Sequence, residues 1–227
     1  MCFSAEASFA GGAVITAIGV AALTKIKKPA QVPFGIIPLI FGLQQCAEGG
    51  LWITLKSGHP GPLQDAGTYI FLITALAIWP IMIPFSIWLL EGVKTRKKIL
   101  AGLMVAGGIV SLFYIYCLLF YNVHPEIQSF HIQYANDYPG TLVLIAFILY
   151  LAATILPLFA SSVKRMWVFG ILIAVSCLVT GIFFAQYLTS VWCFFAALIS
   201  IAIYWILSSL NGKPAQLPKE MLAKKAE

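Results

Sequence analysis

Residues 34–55 of the chain read FGIIPLIFGLQQCAEGGLWITL. A helix rises about 1.5 Å per residue, and about 20 apolar residues cross the hydrocarbon core of a bilayer, so this stretch is long enough to span a membrane. Its second half nevertheless contains Gln44, Gln45 and Glu48. Because residues three and four apart share a helix face, both glutamines are expected beside the carboxylate. A carboxylate within a membrane costs several kcal/mol unless it faces a partner or water, so Glu48 marks a candidate site.

The composition of the whole chain is typical of a membrane protein. Of its 227 residues, 61% are hydrophobic and 10% are charged, whereas soluble domains have about 45–50% apolar and about 25% charged residues. Long apolar runs occur at 7–24, 33–55, 66–90, 99–121, 140–160, 166–188 and 190–210. We therefore predict an all-α fold: one domain over residues 1–210, a bundle of seven transmembrane helices, followed by a basic cytoplasmic tail over 211–227.

The basic residues predict how the bundle is oriented. The formal net charge is +6. Of the 14 lysines and arginines, only Lys56 lies outside the connections after the first, third and fifth runs and the tail; the others include Lys25, Lys27, Lys28, Lys94, Arg96, Lys97, Lys98, Lys164 and Arg165. The positive-inside rule then places the amino terminus outside and the carboxyl terminus in the cytoplasm, in a multi-pass protein of the cell (inner) membrane. The expected partner is the lipid bilayer and not a nucleic acid, and the oligomeric state stays open.

Two short motifs carry a resemblance to a known family. The chain opens with MCFSA, and residues 41–49 read FGLQQCAEG. In these residues the chain resembles an uncharacterised bacterial polytopic membrane family whose members share both elements. The resemblance covers about the first 55 residues. It implies an integral membrane protein and no particular activity.

Small residues predict close packing of the first two helices. They recur in the first helix at Gly12 and Gly19, and in the second at Gly35, Gly42 and Gly49. Such faces allow transmembrane helices to approach each other. In an antiparallel pair, Glu6 would lie on the same side of the membrane as Glu48, which would itself be about 10 Å below the outer end of its helix. The pattern predicts a polar pocket that opens to the outer face, with these two helices as its walls.

The longest outer connection has a helical pattern. Pro125 suits a first helical position, and apolar or aromatic residues follow at i, i+3, i+4 and i+7: Ile127, Phe130, His131 and Tyr134. We therefore predict a short interfacial helix near 125–135 that covers the pocket. On this interpretation, His131 points toward Glu48.

The first functional interpretation is a ligand-binding pocket around Glu48. Gln44, Gln45, Glu6 and Tyr121 would bind a small polar or cationic ligand. A desolvated Glu48 would also be able to carry a proton, so a small-molecule or proton-coupled transporter is an alternative. The same three polar side chains of the second helix are also expected if they only hydrogen-bond to neighbouring helices and stabilise the bundle.

The second interpretation adds a metal, and the third adds catalysis. Imidazole and carboxylate groups suit a divalent transition metal, with Glu6, Glu48, His59 and His131 as ligands and His124 and Asp65 in reserve. No HExxH or HxxH motif is present, and loop histidines often cap helices.

Removal of Met1 would leave Cys2 as an amino-terminal nucleophile, acting with Glu48 as the other catalytic residue. The alternative is that Cys2 is only a small apolar residue at the membrane interface. A disulfide bond to Cys193, near the same face, is also open, and nothing in the sequence establishes it. The residues leave open whether the chain is an enzyme.

Overall fold

The computed structural model describes residues 4–58 and 61–210. The predicted tail, Cys2 and His59 lie outside these ranges. The described chain is mostly helical, with seven helices long and apolar enough to cross a membrane, which confirms that part of the predicted architecture. We number them spans 1 to 7: Ala5–Leu23, Pro29–Ser57, Pro62–Leu90, Lys94–Phe120, Gly140–Ala160, Met166–Phe183 and Ala185–Leu210.

Three of the spans are composite. Span 2 begins with a 3-10 turn, Pro29–Gln31, and continues as helices Val32–Gly35 and Ile37–Ser57. Span 7 consists of the turn Ala185–Tyr187 and helices Leu188–Ile199 and Ile201–Leu210. Span 3 contains a π-helical segment, Ile73–Ile78, between helices Pro62–Leu72 and Trp79–Leu90.

The π-helical segment of span 3 follows from a proline and is stabilised by two neighbouring spans. Pro80 has no backbone N–H, so it cannot donate the α-helical hydrogen bond to the carbonyl four residues earlier. The Tyr150 hydroxyl of span 5 donates to the Ala75 carbonyl at 2.7 Å, and the Ser111 hydroxyl of span 4 donates to that of Ala77 at 2.6 Å. These bonds satisfy carbonyls where the helix widens.

Close contacts between backbones fix the packing of the first four spans. A Cβ atom on Gly12 of span 1 would lie 3.2 Å from the Gly42 carbonyl oxygen of span 2. The predicted tight pair of spans 1 and 2 is therefore confirmed. Span 4 approaches span 3 just as closely, because a Cβ atom on Gly107 would overlap the carbonyl oxygen of Pro80.

The connection between spans 4 and 5 is a β-hairpin, so the predicted interfacial helix near 125–135 is wrong. Strand β1, Val123–Gln128, pairs antiparallel with β2, His131–Asn136, and Gln128 lies opposite His131. Ser129, with φ of 57°, begins the two-residue turn. A two-residue turn with positive φ at its first position suits a hairpin. The exposure along β1 alternates with a period of two, and the helical spacing of Ile127, Phe130, His131 and Tyr134 was coincidental.

The bundle has two chemically different ends. The hairpin face is the end that carries the start of span 1 and the β-hairpin. The basic face is the opposite end, where nine of the ten described lysines and arginines lie. Three of these cations stack on aromatic rings: Lys25 on Tyr204, Lys97 on Trp88 and Arg165 on Trp205. This asymmetry is the basis of the predicted orientation, which remains a prediction.

Glu91 joins two connections on the basic face. Its carboxylate accepts hydrogen bonds from the Ser162 N–H and hydroxyl, both at 2.6 Å, and from the Val93 N–H at 2.8 Å. Burial raises the pKa of Glu91, but these hydrogen bonds outweigh burial and hold the pKa below its ordinary value. The connection after span 3 is thereby fixed to the connection after span 5.

Candidate functional site

Glu48 is fully enclosed within the bundle. Its exposed fraction is 0%, as are those of Gln44 and Gln45. The Ser190 hydroxyl, at the start of the helix Leu188–Ile199 in span 7, donates to Glu48 Oε1 at 2.5 Å. Span 7 therefore supplies a hydrogen-bond partner of Glu48.

Gln44 is held by aromatic and sulfur neighbours. Its side-chain oxygen accepts a hydrogen bond from Trp79 Nε1 at 3.2 Å. The Trp79 ring stacks on Phe41 with 4.1 Å between ring centroids, which fixes the direction of the indole N–H. The thiol of Cys193, a free cysteine, interacts with Gln44 and lies near Glu48. Gln44 therefore connects span 2 to spans 3 and 7.

Gln45 differs from its neighbour. Within the described chain, neither its amide oxygen nor its amide nitrogen has a hydrogen-bond partner, although the side chain is fully buried. The same holds for the Ser8 hydroxyl and the Trp52 indole N–H. A buried polar group left unsatisfied costs about 1–3 kcal/mol.

These buried polar groups lie on spans 1, 2 and 7, in the halves of those spans that are nearer the hairpin face. A Cβ atom on Gly12 of span 1 would lie 3.4 Å from Gln45 Cβ of span 2, and Gly12 is one helical turn from Ser8. In the same pair of spans, the Phe9 ring packs against Gly49. We call this set the polar cluster: Ser8, Gln45, Glu48, Trp52 and Ser190. It combines hydroxyl, indole and amide donors with amide and carboxylate acceptors.

The β-hairpin covers the end of the bundle nearest the polar cluster. Ile132 is fully buried and packs in one group with Ala5 and Trp52. Tyr134 stacks on Phe71 of span 3 with 5.0 Å between ring centroids. A hairpin, and not the predicted helix, therefore packs on this end of spans 1 and 2.

His131 packs against the aromatic residues that begin span 7. Its ring centroid lies 5.2 Å from that of Phe184 and 4.7 Å from that of Tyr187. Burial lowers the pKa of His131 below its ordinary value. The structure therefore shows His131 in aromatic packing that favours the neutral ring.

The other predicted site residues are not gathered around Glu48. Glu6, Asp65 and His124 are exposed. Tyr121 is half-buried, and its ring packs against Tyr138 at 6.0 Å. Across residues 4–58 and 61–210, no three His, Cys, Asp or Glu side chains form a group that could hold a metal ion.

A cavity lies beyond Cys193, away from the first two spans. Its volume is about 410 Å³, and spans 3, 4, 5 and 7 enclose it together with the hairpin. Cys193 belongs to its wall, but the described lining does not include Gln44, Gln45 or Glu48. The expectation that spans 1 and 2 wall an open pocket does not match this cavity.

Sequence analysis missed Ser190 and gave Cys193 a different role. The two residues are three positions apart and share a face of span 7. A serine and a cysteine on one face of an otherwise apolar span are the signal that would have connected span 7 to Glu48.

Comparison with protein families identifies a matching family model. The model described as "Family of unknown function (DUF6629)" matches residues 1–217. No curated protein and no solved structure matches the chain.

Proposed function

We propose that this chain, which belongs to the DUF6629 family, is an integral membrane protein that binds a small polar ligand at the polar cluster. The ligand bonds to Gln45, Ser8 and the Trp52 indole, while Glu48 and Ser190 form the adjoining wall. The hairpin covers the ligand from the hairpin face. We place this face outside the cell and the protein in the cell (inner) membrane.

The observation that carries this proposal is the amide of Gln45. It is fully buried beside a buried carboxylate, and neither of its polar atoms has a partner among the described residues. A glutamine that only stabilised helix packing would bond to a neighbouring span, as the Gln44 oxygen does with the Trp79 N–H, although the Gln44 amide nitrogen also has no partner among the described residues. The contrast between these adjacent glutamines supports a binding role for Gln45.

The chemistry of the cluster indicates a ligand with several hydrogen-bond donors. Glu48 and the Gln45 oxygen are acceptors, and a carboxylate in a low-dielectric site favours a positively charged partner. A small primary amine or guanidinium compound has the appropriate charge and donors.

Thermal unfolding of the purified full-length chain in detergent tests the proposal with a panel of small primary amines and guanidinium compounds. At least one compound is expected to raise the Tm of the wild type, because ligands that bind the folded state stabilise it. Glu48→Gln and Gln45→Leu should abolish this increase, whereas Gln64→Leu, a glutamine outside the cluster, should retain it. If every compound leaves the wild-type Tm unchanged and Glu48→Leu only stabilises the protein, the cluster serves packing alone.

Metal analysis separates the metal-containing form of this proposal from the metal-free form. A stoichiometric transition metal that is lost in both Glu48→Gln and His131→Ala would support the former. A ligand-dependent Tm without bound metal would support the metal-free form. The geometry of the described residues favours the metal-free form, because Phe184 and Tyr187 enclose His131.

The proposed orientation has its own test. In intact cells, a membrane-impermeant maleimide should label Gln128→Cys in the hairpin, while Thr95→Cys on the basic face should react only after lysis. Both positions are exposed, so accessibility within the fold does not distinguish them. The opposite labelling pattern would reverse the orientation and leave the polar cluster unchanged.

A further inference from the structure

The cavity beyond Cys193 continues into the interior of the bundle. A second, smaller space of about 40 Å³ adjoins it and shares Tyr150, Trp192 and Cys193 with its wall. The larger space, at about 410 Å³, is within the range of about 300–1,000 Å³ that is typical of small-molecule sites. Together they form a wide chamber under the hairpin and a narrow extension toward Phe41 and Trp79.

The walls select against charge. Among the described residues that line either space, none is Asp, Glu, Lys, Arg or His. Aromatic rings dominate the wall: Tyr114, Tyr134, Tyr138, Phe147, Tyr150 and Trp192. A charged ligand would lose its hydration there without a counter-charge, so the occupant is neutral.

Two buried hydrogen-bond donors in this aromatic wall have no partner among the described residues. Trp192 is 8% exposed and lines both spaces, and its indole N–H donates to no described residue. The Tyr138 hydroxyl also has no partner within the described ranges. Burial raises the pKa of Tyr138, so its hydroxyl keeps its proton. Since an indole N–H can only donate, the ligand must bring an acceptor.

One side of the chamber is formed by an exposed part of span 5. Gly140, Val143, Leu144 and Phe147 form one face of span 5 and line it, although Leu144 is 61% exposed. Span 6 closes only the deeper space, through Phe169 and Ile173, because no described residue of span 6 lines the chamber. A lipid-soluble molecule can therefore enter sideways from the bilayer.

We propose that this chamber binds a neutral, lipid-soluble ring compound with a carbonyl oxygen, of the size of a quinone head group, with the carbonyl accepting from Trp192. This site is separate from the polar cluster, and the proposal does not depend on the ligand of Glu48.

A matched pair of probes tests the proposal on the purified full-length chain in detergent. Duroquinone and durene have the same tetramethylated ring, but only duroquinone carries carbonyl oxygens, and its fully substituted ring does not alkylate cysteine. Duroquinone is expected to raise the Tm of the wild type in a concentration-dependent manner and at lower concentration than durene. Trp192→Phe should weaken duroquinone binding by up to about tenfold, the value of one hydrogen bond, and leave durene binding unchanged.

Two glycine variants control for occupancy of the chamber. A Cβ atom at Gly140 or at Gly102 meets no heavy atom within 4 Å, so both positions accept a larger side chain. Gly140→Trp should fill the mouth and abolish binding of both probes, whereas Gly102→Trp, far from the chamber, should retain it. Gln45→Leu should also bind duroquinone normally, which separates this site from the polar cluster. A folded wild type without a duroquinone shift, or an equal shift in Gly140→Trp, would overturn the proposal.

Discussion

The two ends of the bundle treat their buried polar groups differently. On the basic face, Glu91 accepts three hydrogen bonds, and Arg96 donates to the Ser161 carbonyl at 2.8 Å. Gln31 accepts from the backbone of Lys27 at 2.8 Å. Toward the hairpin face, the amide of Gln45 and several other buried polar groups have no described partner: Ser8, Trp52, Tyr138 and Trp192.

The proposed binding function would explain this difference, because a ligand would satisfy the polar groups near the hairpin face. At the basic end, Ser208 is the described residue whose buried hydroxyl has no hydrogen-bond partner. Unsatisfied buried groups each cost stability, so a fold that keeps several of them at one end has a use for them there. Three predictions test this comparison, from the largest expected effect to the smallest.

Removing the Glu91 carboxylate should have the largest effect. Glu91→Ala leaves the Ser162 and Val93 donors without their acceptor, and hydrogen bonds to a charged group contribute about 1.5–3 kcal/mol each. The free energy of unfolding in mixed detergent should fall by about 3 kcal/mol. Glu126→Ala, which removes an exposed carboxylate from the hairpin, serves as the control and should change the free energy of unfolding little. Equal losses in the two variants would contradict the role of Glu91.

The adjacent glutamines should respond with opposite signs. Gln44→Leu removes the acceptor of the Trp79 N–H and should lower the free energy of unfolding by about 1 kcal/mol. Gln45→Leu replaces an unsatisfied buried amide by an apolar group and should raise it by about 1 kcal/mol. Both are measured without added ligand under one denaturing condition. Destabilisation of similar size in both variants would show that Gln45 also serves packing.

The two ends should also lose stability in different pH ranges. Burial lowers the pKa of His131 in the folded state below its ordinary value of 6.5. The stability that the neutral ring contributes is therefore fully present above pH 6.5 and is lost as the pH falls below this value. The folded-state pKa of Glu91 is likewise lower than its ordinary value of 4.5, so its contribution is lost only in more acidic solution.

Hairpin proteolysis measured from pH 7 to 5 should therefore increase in the wild type and stay constant in His131→Phe. Global unfolding should gain its Glu91-dependent slope only below about pH 4.5, a slope that Glu91→Gln removes. A hairpin that is equally resistant throughout would contradict the proposed response of His131.

The spans were predictable from sequence because length and hydropathy are local properties. The pairing of spans 1 and 2 was also predictable, since the glycines at 12, 19 and 42 mark the contact directly. The hairpin was not predictable in this way. Ile127, Phe130, His131 and Tyr134 fit a helical spacing in the sequence, but the structure of this segment is decided by the pairing of its two strands.

The site was predictable only in part, for the same reason. A buried Glu48 with two flanking glutamines follows from residues 44–48 alone. Its bond to Ser190 joins residues 142 positions apart, and the chamber is formed by four spans and the hairpin. Such contacts depend on which spans are neighbours, and hydropathy does not specify that arrangement.

Native mass spectrometry of the purified full-length chain tests the central claim, that the polar cluster binds a ligand, most directly. The wild type should carry a small bound molecule, and Gln45→Leu and Glu48→Gln should lose it, while Gln64→Leu should retain it. Identical masses of bound material in all four proteins, or none in any of them after exposure to the amine panel, would contradict it.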